Sequence, residues 1–307
     1  MAKPYIGIVG AGPIGGILCA YLAAAGEKIV IADILEDHLE AIKTKGLTVT
    51  GVRDFQVVVP DAVNEVGRLA DYDLEYLFIA VKVTVTDKIL PELCKVIAPE
   101  TIVISHQNGL YAEEPIAEAF GPDRTLRTVI NYAGFYEEPG KLKFTFFQKA
   151  NHLGAITEAG KPAAEALAGR LTAAGMNTEA VDDIHKYDWE KVILNVILGP
   201  ICAIVGKTMK DTLACEGVPE LSDGLLRECI EVARAEGFEW EPGFFEKCRQ
   251  FIRKAGAHKP SMLVDVEAGR KTEIDLICGI MAELGRKHGI PTPYNETITT
   301  LVKAVTS

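Results

Sequence analysis

A strand-like apolar run near residue 5 leads directly into a turn with regularly spaced glycines. Residues 5–9 read Tyr-Ile-Gly-Ile-Val, and a Gly-x-Gly-x-x-Gly turn follows before an alanine-rich helical pattern. In a βαβ unit such glycines permit the tight turn, the approach of a pyrophosphate and close helix packing, while the helix N-terminus attracts phosphate. The sequence therefore predicts a dinucleotide site formed by Gly10, Gly12, Pro13, Ile14 and Gly15.

An acidic residue ends the second predicted strand. Residues 28–32 read Lys-Ile-Val-Ile-Ala, and Asp33 follows them. A carboxylate at this point accepts hydrogen bonds from the adenosine ribose and repels a 2′-phosphate, which favours NAD(H) over NADP(H). Two alternatives stay open. Asp33 could be a solvated strand-end residue of an ordinary βαβ unit, and a flavin or S-adenosylmethionine could use the same turn.

Composition and charge argue against several classes of protein. The chain has 307 residues, of which 48% are hydrophobic and 24% charged, so we expect a globular protein of two domains. A net charge of −11 argues against nucleic-acid binding. The seven cysteines include no Cys-x-x-Cys and the six histidines have no ligand spacing, which predicts reduced thiols and no metal site.

No segment predicts a signal peptide or a membrane span. The first strand begins close to the first methionine, and the apolar stretch 192–206 is too short to cross a bilayer and contains Asn195 and Pro200. We therefore expect a cytoplasmic protein that does not bind membranes.

The secondary-structure pattern changes near residue 182. Strands and helices alternate before this point, which predicts an α/β domain, 1–182, with a Rossmann-type, mostly parallel sheet. A hairpin over 135–148 is expected late in that sheet. Helical periodicity dominates 183–307, with predicted helices over 184–205, 219–236, 243–254, 274–288 and 295–305. We expect the active site in the cleft between the two halves, at the carboxyl ends of the strands.

Polar residues follow two of the predicted strands in the first half. Lys82 lies in Ala80-Val81-Lys82 at the end of the predicted strand 76–80, and Asn108 lies in Gln107-Asn108-Gly109 after the next strand. Both positions are on the ligand-binding edge of a parallel sheet, so both side chains are candidates for cofactor or substrate contacts. A loop lysine and an Asn-Gly turn are also common structural features.

In the second half, Lys191 and Asn195 are spaced i, i+4 and share one face of an apolar helix. An amine and an amide on a buried face are costly unless they have partners. Ser261 and Glu273, far along the chain, could complete a site with Lys191. The structural alternatives are a snorkelling lysine, a core amide, a serine N-cap and a glutamate at a helix N-terminus.

Taken together, these segments resemble the ketopantoate reductase (2-dehydropantoate 2-reductase) family along essentially the whole chain. The resemblance rests on the order and spacing of the glycine turn, Ala80-Val81-Lys82, Gln107-Asn108-Gly109, Lys191-x-x-x-Asn195, Ser261-Met262-Leu263 with Asp265, Gly269-Arg270, Thr272-Glu273-Ile274-Asp275 and Gly289-Ile290-Pro291-Thr292-Pro293. It implies an NAD(P)-dependent oxidoreductase acting on a CH–OH group. It also implies a second domain of the 6-phosphogluconate-dehydrogenase type, used for substrate binding and dimerisation, and a homodimer.

The resemblance also implies roles for individual residues. Lys191 matches the general acid that protonates the substrate carbonyl, and Glu273 matches the carboxylate that orients this lysine. Asn195 and Ser261 match substrate-binding positions. Lys82 and Asn108 match positions near the nicotinamide and the substrate. We expect Glu273 to contact the cofactor as well.

Three positions depart from the family pattern. Gly199 stands where members acting on ketopantoate carry an asparagine, a further family asparagine is absent around Met209, and Asp33 differs from the neutral or basic residue of NADPH-using members. These departures resemble the NAD-using D-2-hydroxyacid (D-mandelate-type) dehydrogenases. The sequence therefore predicts NAD-dependent reduction of a 2-oxo acid, either ketopantoate or a branched or aromatic relative. A non-catalytic NAD(H) sensor and a β-hydroxyacid dehydrogenase are the alternatives.

Overall fold

A computed structural model describes residues 3–147 and 149–306, which form two compact units. One unit ends at Ile184 and the other begins at His185. The strands of the first unit are β1 (Tyr5–Val9), β2 (Ile29–Ala32), β3 (Leu47–Gly51), β4 (Phe55–Val57), β5 (Asp61–Val63), β6 (Leu74–Ile79), β7 (Ile102–Ser105), β8 (Thr125–Val129), β9 (Tyr132–Glu138), β10 (Lys141–Phe147), β11 (Asn151–Ala155) and β12 (Thr178–Ala180). Its helices are α1 (Pro13–Ala24), α2 (Glu36–Thr44), α3 (Val83–Val96), α4 (Glu114–Phe120) and α5 (Lys161–Ala173).

The main sheet of the first unit has eight strands in the order β12-β11-β8-β7-β6-β1-β2-β5. The pairings from β8 through β5 are parallel, and only β11 runs antiparallel to its neighbour β8. The central strands are apolar on both faces, with Ile8 and Phe78 on one face and Val9 and Leu77 on the other, because helices cover both sides of a parallel sheet. The predicted mixed α/β fold with an N-terminal parallel sheet is confirmed.

The predicted hairpin forms, but it belongs to a second sheet. Strands β9 and β10 pair antiparallel, and β10 pairs in parallel with β3, which gives the order β4-β3-β10-β9. The alternating residues Leu142 and Phe144 are buried, and the Phe144 ring packs edge-on against Tyr21 of α1 at 5.7 Å. The expectation that this hairpin extends the main sheet is therefore wrong, and Gln148 at its end lies outside the described residues.

The described part of the second unit contains helices and no strand, as the sequence predicts. The helices are α6 (Ile184–Val205), α7 (Met209–Leu213), α8 (Val218–Ala235), α9 (Phe244–Arg253), α10 (Ser261–Glu267), α11 (Cys278–His288) and α12 (Pro293–Val305). The helix predicted over 274–288 is broken, because a 3-10 turn over Ile274–Leu276 ends at Ile277, which has φ −116° and ψ −85°. Among the described helices, none is both long and apolar enough to span a bilayer.

A buried carboxylate joins two helices of the second unit. Glu228 of α8 is 6% exposed and accepts hydrogen bonds from the backbone amides of Tyr294 and Asn295, at 2.8 and 2.9 Å. The Asn295 side-chain amide donates a third bond at 2.7 Å. These backbone amides lie in the first turn of α12, where no carbonyl of the same helix can accept from them and a negative charge is favoured.

We expect Glu228→Ala to destabilise the protein by about 1–3 kcal/mol, because buried amides of α12 lose their acceptor. Urea denaturation would measure this loss. Glu231→Ala, an exposed change on the same helix, is the control and should leave the stability nearly unchanged. An equal loss in both variants would contradict the assignment.

Candidate active site

The three glycines of the first turn differ in what a side chain at each position would contact. Gly10 has φ +106°, and a Cβ there would lie 2.9 Å from the carbonyl carbon and oxygen of Ala80. A Cβ at Gly15 would overlap the carbonyl oxygen of Gly10. The fold therefore requires glycine at both positions. A Cβ at Gly12 would meet no described atom within 4 Å, so packing does not explain this glycine. Half-buried Gly12, Pro13 and Ile14 begin α1, where backbone amides can bind an anion.

Asp33 holds the glycine turn in place. Its Oδ2 accepts from the Ala11 amide at 2.6 Å, and its Oδ1 accepts from the Leu35 amide at 3.0 Å. Asp33 is half-buried, so it is not simply a solvated strand-end residue. Each carboxylate oxygen can accept more than one hydrogen bond, which leaves capacity for ribose hydroxyls.

A histidine that the sequence analysis missed holds the other side of the same peptide segment. His38 of α2 is buried, and its Nε2 lies 2.9 Å from the Ala11 carbonyl oxygen. The Gly140 amide donates to Nδ1 at 2.9 Å, so Nε2 carries the hydrogen and donates to Ala11. Ala11, between Gly10 and Gly12, is therefore fixed at both its amide and its carbonyl.

The loops that carry Lys82 and Asn108 are linked to each other. Lys82 precedes α3, Asn108 follows β7, and both side chains are half-buried. The Gln107 side-chain amide donates to the Val81 carbonyl and to the Thr86 hydroxyl, both at 2.8 Å. The two loops thus share a buried connection, which the Gln107-Asn108-Gly109 motif alone did not predict.

A second buried connection reaches the first turn of α1. The Tyr132 hydroxyl donates to the Ile14 carbonyl at 2.8 Å, so it must accept the bond from Nε2 of His106, also at 2.8 Å. Burial raises the pKa of Tyr132 well above its ordinary value, which keeps the hydroxyl protonated. The segments bearing Gly12, Lys82 and Asn108 therefore form one cross-linked edge of the first unit.

In the second unit, α6 carries the predicted amine and amide. Lys191 and Asn195 are half-buried at i, i+4 spacing, and Gly199 continues the same face. A Cβ at Gly199 would lie 3.9 Å from the Cβ of Pro260, the residue before Ser261. This face of α6 is therefore adjacent to the segment that carries Ser261.

The structure argues against Ser261 as an N-cap and places Glu273 at the start of a 3-10 turn. Ser261 is exposed and is the first residue of α10, so Pro260 rather than Ser261 occupies the N-cap position. Half-buried Glu273 precedes the 3-10 turn but makes no capping hydrogen bond to it. Between them, Arg270 Nε lies 3.0 Å from Asp265 Oδ1, and the Arg270 amide donates to the Asp265 carbonyl at 2.8 Å. These two contacts join residues 265 and 270 within the segment between Ser261 and Glu273.

No group of three or more histidine, cysteine or acidic side chains among the described residues could hold a metal ion. Burial raises the pKa of the Cys19 and Cys248 thiols to about 12, which makes both poor nucleophiles near neutral pH.

Comparison with known proteins identifies the family. Residues 6–158 match the family model described as ketopantoate reductase PanE/ApbA, and residues 183–306 match its C-terminal model. The 2-dehydropantoate 2-reductase of Aquifex aeolicus is 30% identical, covering 97% of this chain and 95% of that protein. The chain belongs to the ketopantoate reductase family. It is thus an oxidoreductase that acts on a CH–OH group.

Solved structures of similar proteins have the same fold. The 2-dehydropantoate 2-reductase from Geobacter metallireducens superposes with a TM-score of 0.90 at 27% identity, covering 98% of this chain and 99% of that chain. A D-mandelate dehydrogenase, solved in complex with NADH, superposes with a TM-score of 0.85 at 25% identity and covers 98% of each chain.

We expect His38→Leu to weaken NADH binding by about tenfold, because the glycine turn loses a buried anchor. Fluorescence titration would measure the dissociation constant, and His38→Gln, which can both donate and accept, should recover part of the affinity. Thr101→Val is the control. It removes a buried 2.8 Å bond to the Leu74 carbonyl at the opposite end of the sheet. It should lower stability without changing NADH affinity, and equal affinity losses in Thr101→Val and His38→Leu would refute the prediction.

Proposed function

We propose that this protein reduces a 2-oxo acid to a D-2-hydroxy acid by hydride transfer from NADH, with Lys191 as the general acid. The main support for the proposal is that Lys191 and Asn195 share the face of α6 that lies beside the Ser261 segment. This arrangement occurs in a chain that matches the family over both units. The homodimer implied by the resemblance remains a prediction.

A charged amine has two uses in this reaction. NADH supplies the hydride for the carbonyl carbon when it is bound. Lys191 stabilises the negative charge that develops on the carbonyl oxygen and then transfers a proton from Nζ to that oxygen, which completes the alcohol. Water then reprotonates the amine. In this proposal Glu273 orients Lys191 and adjoins the cofactor.

The remaining candidates bind and orient the substrate and cofactor. Asn195 and Ser261 are neutral hydrogen-bonding groups that can hold the substrate carboxylate and its oxygen substituents. Lys82 and Asn108 lie at the carboxyl edge of the sheet in the first unit, on the side where nucleotides bind in such folds. Neutral donors with a single cation can hold a 2-oxo acid without stabilising its ground state excessively.

The proposed preference for NADH rests on Asp33. Two backbone amides fix its carboxylate beside the glycine turn, so its negative charge cannot easily rotate away from an adenosine 2′-phosphate. The fit of a dinucleotide is supported by the open space at Gly12, where a side chain would obstruct a pyrophosphate. The related D-mandelate dehydrogenase was solved with NADH.

Two substrate classes have specific support. The relatives named 2-dehydropantoate 2-reductase favour 2-dehydropantoate. Gly199 favours a larger or less polar 2-oxo acid, as in a D-mandelate-type dehydrogenase, because it leaves the α6 face beyond Asn195 without a side chain. We therefore keep the D-2-hydroxyacid dehydrogenase as the second candidate function.

We expect Lys191→Ala to lower kcat by about 10²–10⁴-fold while NADH affinity is retained, because the proton donor is lost and the glycine turn is not. NADH oxidation would be followed with 2-dehydropantoate, phenylglyoxylate and 2-oxoisovalerate, which also decides between the two substrate classes. Lys186→Ala, an exposed change on the same helix, is the control and should keep wild-type activity. Full activity of Lys191→Ala would disprove the mechanism. Tight NADH binding by a wild type that turns over no carbonyl substrate would favour the sensor.

We expect Asp33→Asn to raise the ratio of kcat/KM for NADPH to that for NADH by about tenfold, since it removes the charge that repels a 2′-phosphate. Asparagine keeps an oxygen acceptor for one backbone amide, and any remaining distortion of the turn affects both cofactors. The ratio therefore isolates the effect of charge. Asp37→Asn, in the first turn of α2, is the control. An unchanged ratio in Asp33→Asn would show that Asp33 does not select the cofactor.

A further inference from the structure

We propose that Arg127 is a positioning residue for Asn108, and that this buried cation fixes the loop which presents Asn108 to the reacting groups. The inference rests on the proposed function, in which Asn108 adjoins the nicotinamide and the substrate. It concerns a residue that the resemblance to the family did not single out.

Arg127 lies in β8, next to β7 in the parallel sheet, and is 1% exposed. An ionised side chain at such depth is unfavourable unless its donors are paired. Its Nε lies 3.2 Å from Oε2 of Glu113, which is also buried. The ion pair with Glu113 therefore involves Nε of Arg127, and the two terminal nitrogens bond to other groups.

The remaining donors contact the residues on both sides of Asn108. One terminal nitrogen of Arg127 donates to the Gln107 carbonyl at 2.7 Å, and the other donates to the Gly109 carbonyl at 2.8 Å. Because the guanidinium is planar and its donors have fixed directions, the two carbonyl oxygens are held at a fixed separation. Gly109 has φ +106°, a conformation that few other residues adopt.

The same loop is anchored from the other direction by Gln107. Its side chain bonds the Val81 carbonyl and the Thr86 hydroxyl, while its own carbonyl accepts from Arg127. Asn108 thus follows a residue that is fixed through both its backbone and its side chain. Movement of the Arg127 head group would be transmitted to Asn108 and to the loop that begins α3.

Stability alone does not explain an ion pair at this place. Well-packed apolar residues often replace a buried ion pair with no loss of stability. They could not bond the Gln107 and Gly109 carbonyls, because only a forked donor reaches both. The geometry therefore favours a role in fixing the loop over a role in general stability.

A double-mutant cycle tests the proposal. We expect Arg127→Lys to lower kcat/KM for the 2-oxo acid by about tenfold, because one amine cannot hold both carbonyls, and to have little further effect in the Asn108→Ala background. Non-additivity of this kind is not expected from a general loss of stability. If Arg127→Lys does not fold, a second variant combining Arg127→Met with Glu113→Leu removes the fork without leaving an unpaired buried charge, and the same cycle applies.

Arg124→Lys is the matched control. Arg124 precedes β8 and also donates to backbone carbonyls, those of Phe120 and Ala98, both at 2.6 Å. It lies before the amino end of β8, at the opposite edge of the sheet from Asn108, so its effect on kcat/KM should be small and independent of Asn108→Ala.

The outcomes distinguish the positioning role of Arg127 from the proposed function. Effects of Arg127 and Asn108 that multiply, or wild-type kinetics in Arg127→Lys, would overturn the positioning role. Wild-type kinetics in Asn108→Ala would overturn both the role of Asn108 and the positioning role, while Lys191→Ala still tests the proposed reaction by itself.

Discussion

The candidate cofactor site depends on how the Ala11 segment is held. A turn that lets a pyrophosphate approach its backbone cannot fill the space with side chains, so it needs rigidity from elsewhere. Asp33 accepts from the Ala11 amide, and His38 donates to the Ala11 carbonyl. Neither partner belongs to the turn itself. The open space at Gly12 can therefore coexist with a fixed backbone, which is what preorganised binding requires.

Other backbone segments at this edge of the sheet are also held by side chains from outside the segment. Loops between strands and helices carry the polar residues of such sites, and loops are more mobile than the elements they connect. Here buried side chains donate to carbonyls of two loops and of the first turn of α1: Gln107 to Val81, Arg127 to Gln107 and Tyr132 to Ile14. Each bond is individually worth only about 1 kcal/mol, but a buried carbonyl left without a partner costs more than that. The network therefore penalises any displacement of one loop alone.

The sequence predicts those parts of the fold and site that are set by local backbone geometry. The glycine turn, the parallel strands and the long helices α6 and α8 follow from spacing and periodicity, as does the shared face of Lys191 and Asn195. The partner of the hairpin could not be predicted, because the alternation of Leu142 and Phe144 is the same in either sheet. His38 and Arg127 were missed because their partners are remote. Gly140, for example, is 102 residues from His38. The available signal for Arg127 was that it is the one charged residue in the run 125–132.

The glycines differ in whether the fold itself excludes a side chain at their positions. Gly10 and Gly15 are required by the fold, since a side chain at either position would collide with backbone or with Ala80. Gly12 has no such requirement, because a Cβ there would meet no described atom within 4 Å. Gly199 lies between these cases. Its side chain would have room beside Pro260, yet Pro200 follows it, and a Cβ before proline is disfavoured in a helix. The glycine at 199 thus avoids the clash that a Cβ before Pro200 would cause, and it leaves no side chain on the face of α6 that Lys191 and Asn195 share.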